Sequence, residues 1–131
     1  MATIEKFEDI NAWKKARDLS KDIYQITGKK EFTKDFNLKD QIRRASTSIM
    51  LNIAEGFARK TDKDFARFLS QAHGSGAEVQ AVLYIALDQG YINKEEFEVL
   101  YKKAEEVSRM LMGFSKYLRS NSNDSLPKKS L

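Results

Sequence analysis

The stretch LKDQIRRASTSIMLNIAEGFAR, Leu38 to Arg59, decides how this chain folds. Leu38, Ile42, Ala45, Ile49, Ile53, Gly56 and Phe57 recur at spacings of three and four, which puts them on one face of a helix. Leu51, Ala54 and Ala58 fall on nearly the opposite side. A helix apolar on two flanks is covered by more than one neighbour, so a central place in the fold or a contact with another subunit is expected.

The same periodicity extends outward in both directions. Phe7, Ile10, Trp13, Ala16, Leu19 or Ser20, Ile23 and Ile26 predict a first helix from about Asp9 to Thr27, stopped by Gly28. Lys29 to Asn37 reads as a connector whose Phe32 and Phe36 tuck against the bundle, with Asn37 capping the next helix. Thr61 or Asp62 caps a third helix reaching about Gln89, with Phe65, Phe68, Leu69, Ala72, Gly76, Val79, Leu83, Ala86 and Leu87 as its core stripe. Gly90 ends it, and Asn93 caps a fourth helix with Glu95 and Glu96 in the first turn, where the helix dipole favours acids. Phe97, Leu100, Tyr101, Ala104, Val107, Met110 or Leu111, Phe114, Tyr117 and Leu118 form the fourth stripe. Four long helices with short connectors predict an all-α, up-down-up-down antiparallel four-helix bundle over residues 1–120. Residues 121–131, polar and carrying the single proline, read as a disordered tail.

Bulk composition agrees with that architecture. Of 131 residues, 41% are hydrophobic and 32% charged, enough apolar material for one core; one proline and six glycines leave little for the turns of an all-β fold. The absence of cysteine excludes disulfides and thiolate metal sites and fits a reducing compartment. The acidic, h-region-free start and the lack of any apolar run near ~18 residues argue against export and membrane insertion, so a cytoplasmic protein is expected.

Chemistry is sparse. His73 is the lone histidine, so neither a catalytic pair nor a histidine-ligated metal centre can be assembled from one chain. Ser48 and Ser75 lack a base partner or a nucleophile elbow, and no glycine loop of a phosphate-cradling type is present. No catalytic residue, cofactor or metal is therefore expected. The distinctive feature is a polar row on the second helix, Gln41, Arg44, Ser48, Asn52, Glu55 and Arg59, matched on the third by Arg67, Gln71, Ser75 and Glu78. Facing rows of this kind can satisfy one another across a partly buried seam, either to fix packing and register within or between subunits or to hold a ligand or nucleic acid. Gly56, Gly74 and Gly76 inside helices each cost up to ~1 kcal/mol relative to alanine and ask for a packing reason.

Net charge is +4, concentrated around the second helix: residues 38–60 carry +3 and residues 61–92 carry −2. Lys39, Arg43, Arg59, Lys60, Lys63 and Arg67 are the candidate nucleic-acid-binding residues. Repeated around the axis of an oligomer, they would build a polyanion site in which each neutralised phosphate releases counterions.

Gln41–Arg59 (QIRRASTSIMLNIAEGFAR) and Phe65–Ile92 (FARFLSQAHGSGAEVQAVLYIALDQGYI) resemble the four-helix bundle family of 23S rRNA intervening-sequence proteins. The elements that carry the resemblance are Arg44, Ser48, Asn52, Ile53, Ala54, Glu55 and Gly56, then Phe68, Ala72, Ser75 and Glu78, then Gly90-Tyr91-Ile92, with Trp13 and Ala16 in the opening helix. It spans roughly residues 7–118. The resemblance implies a bacterial cytoplasmic protein similar to the accessory variability proteins of diversity-generating retroelements, which form pentameric barrels with a basic surface implicated in nucleic-acid binding. By that resemblance the chain is expected to be a homopentamer, with Arg44, Ser48, Asn52, Glu55, Gly56, Ser75 and Glu78 as signature positions. The function expected is a non-catalytic, oligomeric, RNA- or DNA-associated protein. The alternative is a scaffold that holds a protein partner, such as a reverse transcriptase, without touching RNA.

Overall fold

A computed structural model describes residues 4–120; the expected tail, 121–131, lies outside the described residues. Four helices follow one another: α1 (Asn11–Thr27), α2 (Phe36–Phe57), α3 (Asp62–Asp88) and α4 (Lys94–Ser120). Neighbours along the chain pack side by side and α4 closes back on α1, so the up-down-up-down bundle read from periodicity is the architecture of the protein.

Caps set the helix ends. Thr61 Oγ1 accepts from the Asp64 N–H at 3.1 Å. Asn93 and Glu96 form a reciprocal capping box, in which Asn93 Oδ1 accepts from the Glu96 N–H (2.7 Å) and Glu96 Oε1 from the Asn93 N–H (2.9 Å). At the end of α3, Gly90 adopts φ +74°, while the Tyr91 N–H donates to the Ala86 carbonyl (2.9 Å) and the Gly90 N–H to that of Leu87 (3.0 Å). That is a Schellman motif, and its left-handed residue explains the glycine there.

The connector before α2 differs from expectation. Asp35, not Asn37, caps α2: its Oδ1 accepts from the Leu38 N–H at 3.1 Å, and its Oδ2 accepts from the Tyr91 hydroxyl at 2.9 Å. Two independent donors outbid the one that Asn37 could have met, and the helix starts two residues early. Phe36 thereby sits in the first turn and faces out, 70% exposed, with the Lys39 ammonium 4.9 Å from its ring centre. Phe32 alone is buried, stacked on Tyr91 with ring centres 5.2 Å apart. At the other end of the chain a 3-10 turn, Phe7–Asp9, precedes α1, because Ile10 is extended (φ −76°, ψ 121°) and delays the helix to Asn11.

The core contains the stripes read from the sequence, with Ala16, Leu19 and Ile23 from α1, Ile42, Ile49 and Ile53 from α2, Phe65, Leu69, Val79 and Leu83 from α3, and Ala104, Val107, Leu111 and Leu118 from α4, and adds Ala12, Ala66 and Val82, which those stripes left out. Leu51, on the second apolar flank of α2, is 64% exposed, and Ala58 is exposed too. Ala54 between them is half-buried, but among the described residues no helix covers Leu51 or Ala58, which removes the central-helix explanation for them.

Candidate functional site

The α2–α3 interface is unusually close, and Gly56 is the reason. A Cβ at that position would lie 2.7 Å from Phe68 Cβ and 2.9 Å from Phe65 Cδ1. Two turns earlier on α2, the Ser48 and Ser75 hydroxyls share a hydrogen bond of 2.9 Å between the helices. Asn52 Nδ2 donates to the Ser48 carbonyl (2.9 Å) and hydroxyl (3.1 Å), so the asparagine orients the serine that spans the interface.

Around this node the expected seam is only partly closed. Gln41, Arg44, Ala45, Ser48, Ser75 and Glu78 line a recess of about 260 Å³. The Arg44 and Glu78 side chains are exposed and have no hydrogen-bond or ionic partner among the described residues. Glu55 reaches only Arg59 on its own helix (3.4 Å), and Gln71 is exposed. Within one chain, then, Ser48, Asn52, Gly56 and Ser75 serve helix packing, while Arg44, Glu55 and Glu78 border it on the outside. Of the other glycines, Gly76 packs with its Cβ position 3.1 Å from Ser108 Oγ on α4, but a Cβ at Gly74 would meet nothing within 4 Å. Among the described residues Gly74 has no packing reason of the kind expected.

The six basic candidates divide between the two ends of the bundle. Arg43 is committed to structure: its Nε donates to Thr27 Oγ1 (2.8 Å), an Nη to the Tyr24 carbonyl (3.2 Å), and its guanidinium lies 4.5 Å from the Tyr24 ring centre. It caps the C-terminus of α1, where the dipole favours a cation. Lys39 is one turn away at that end. Arg59, Lys60, Lys63 and Arg67 lie at the opposite end, about 30 Å along α2 at 1.5 Å per residue. There Arg59 and Arg67 bracket the Phe68 ring at 4.6 and 4.7 Å, and Arg67 bonds Asp64 at 3.1 Å.

Two cations that the sequence reading passed over join this second group. α4 runs antiparallel to α3, so its last turns lie beside the first turns of α3: the Arg119 guanidinium donates to Ser70 Oγ (3.1 Å) and Ser115 Oγ (3.3 Å). Lys116 is exposed beside it. The signal was present in the topology rather than in any motif, because antiparallel neighbours bring the end of one helix to the start of another.

Among the described residues no group of three His, Asp or Glu side chains could hold a metal ion, and no helix is long and apolar enough to cross a membrane. Lys103 reaches from α4 to Asp22 and Asp18 on α1, and the hydrogen bond that it donates to Asp22 is the main cause holding its ammonium above the usual lysine range. That cluster ties α4 to α1.

Residues 8–113 match the family model described as 23S rRNA-intervening sequence protein. The chain belongs to that family. A solved structure with the same fold is a protein of unknown function from the S23 ribosomal protein family of Bacteroides thetaiotaomicron VPI-5482, 25% identical, with a TM-score of 0.74 over 80% of this chain and 98% of that one. No curated protein matches the sequence. The family match spans the Ser48–Ser75 node, Gly56 and the close α2–α3 packing, and no activity is stated for the solved relative.

Proposed function

We propose that this family member is a non-catalytic, homopentameric protein that associates with RNA through a basic surface. The observation that carries the nucleic-acid part is the gathering of Arg59, Lys60, Lys63 and Arg67 at one end of the bundle, with Lys60 and Lys63 outside any ion pair among the described residues. Such cations meet phosphates without reading bases, since no element here carries a base-recognition motif. Lys39 and Arg43, at the far end, take no part. The family's name, which refers to sequences intervening in 23S rRNA, agrees with RNA as the polyanion.

Assembly is supported by the uncovered flank of α2 and by the opposite charges beside it. Leu51 stands out from the helix, and Arg44 and Glu78 flank the α2–α3 recess with no side-chain partner among the described residues. A cyclic assembly presents each such surface to a different surface of the next copy, which is how a ring closes. Light scattering should give five times the chain mass, and Leu51→Asp should lower it. Titration of a structured RNA at low and high salt tests the ligand: affinity should fall steeply with salt. A monomer would end the assembly reading, and salt-independent or absent binding would end the RNA reading. Capture of a protein partner that survives nuclease treatment, in the absence of RNA binding, would establish the scaffold alternative instead.

A further inference from the structure

Between the C-terminal half of α4 and the N-terminal half of α3 lies a recess of about 710 Å³, lined in part by Ser70, Gly113, Ser115, Lys116 and Arg119. Its walls have an unusual charge distribution. The side chains that line it include Lys116 and Arg119, exposed Met112, and no carboxylate; Arg67, one turn before Ser70, is bonded to Asp64. Arg119 is held over the recess by Ser70 and Ser115, both neutral, so its fixed planar fork keeps donors and full charge available. Lys63 lies two turns before Ser70 on α3 and extends the cationic rim toward the α2–α3 end.

Gly113 supplies an independent observation. It sits inside a 27-residue helix, where glycine is unfavourable, and a Cβ there would meet nothing within 4 Å. Among the described residues no neighbour packs close enough to require glycine there. A missing side chain on an exposed helix lets something outside the chain approach the backbone closely.

We infer that this recess receives the phosphate backbone of a nucleic-acid strand, with Arg119 and Lys116 contacting phosphates and Gly113 allowing the strand against the helix. The inference rests on the RNA reading above and gives that reading a location, adding two residues of α4 to it. Arg119 offers paired N–H groups to a phosphate, a geometry that a lone ammonium cannot match.

The test uses the full chain and a fluorescein-labelled RNA hairpin, followed by anisotropy across a salt series. Lys116→Gln with Arg119→Gln removes two phosphate contacts and should lower the slope of log affinity against log salt by about 1.4 to 1.8. Lys39→Gln should leave the slope unchanged. Gly113→Ala should raise Tm while weakening RNA binding, a pairing that a purely structural glycine would not produce. If wild-type protein binds and the double variant keeps its slope, the recess is not the site, although RNA binding stands. Absence of salt-sensitive binding by wild-type protein removes the RNA reading and this inference with it. Should Gly113→Ala change the assembly mass and leave RNA affinity untouched, the recess is a contact between copies, and the inference is overturned.

Discussion

Replacing Gly56 by alanine opposes two effects whose sizes the structure allows to be compared. Alanine is favoured over glycine in a helix by up to ~1 kcal/mol, so propensity alone predicts a more stable protein. The new methyl group would, however, stand 2.7 Å from Phe68 Cβ and 2.9 Å from Phe65 Cδ1. Normal carbon–carbon contact is about 3.5 to 4.0 Å, so the helices must part by roughly 1 Å. Phe68 Cβ is fixed to the α3 backbone, and no rotamer change moves it away. Forcing extra atoms into packed space costs about 1 to 3 kcal/mol, and parting α2 from α3 would also stretch the Ser48–Ser75 hydrogen bond. The balance is a net loss of about 1 to 2 kcal/mol, or a Tm lower by about 4 to 8 °C for a domain of this size. Gly74→Ala is the matched comparison, because its methyl would meet nothing within 4 Å and leaves only the propensity gain. Thermal unfolding followed by circular dichroism should therefore move the two variants in opposite directions. A Gly56→Ala protein as stable as wild type would refute the claim that the close approach of α2 and α3 rests on this residue.

Arg43→Ala should lower stability by about 1 to 2 kcal/mol in denaturant melts, since it strips Thr27 and the Tyr24 carbonyl of a charged donor; RNA affinity should not change, and a matching loss of affinity would return Arg43 to the binding surface. Tyr91 is held above its ordinary pKa of 10.0, first by its hydrogen bond to Asp35 and then by burial. A raised folded-state value means that its contribution is complete below pH 10 and is lost as pH rises through the folded pKa. Tyr91→Phe should accordingly reduce Tm at neutral pH, with the gap to wild type narrowing above pH 10; a gap constant across that range would show that the hydroxyl is not what links Tyr91 to Asp35.

The Asp35 contact also shows where reading the sequence reached its limit. Asp35 and Asn37 are both good caps and lie two residues apart, and local rules do not choose between them. Tyr91, 56 positions away, chose. Phe36 followed, since its outward direction is set by where α2 begins. The polar rows on α2 and α3 were legible as rows, but their contacts were not: of the residues expected to bond across the interface, the Ser48–Ser75 pair does so, because the longer Arg44, Glu55 and Glu78 reach outward into water. The basic candidates looked like one group because they flank a single helix in sequence, yet a helix of 22 residues holds its ends about 30 Å apart.

The sequence by itself determined the number of helices, most of their core stripes, the cap at Asn93, the stop at Gly90 and the choice of Thr61 or Asp62 as the cap of α3, all of which depend on residues within one or two turns of each other. Tertiary structure alone decided that Asp35 begins α2, that Arg43 closes α1, that Leu51 is left exposed on α2, and that Lys116 and Arg119 stand beside the first turns of α3. Those outcomes follow from which surfaces an antiparallel bundle brings together, and periodicity along a chain fixes the face a residue occupies without fixing what lies opposite it.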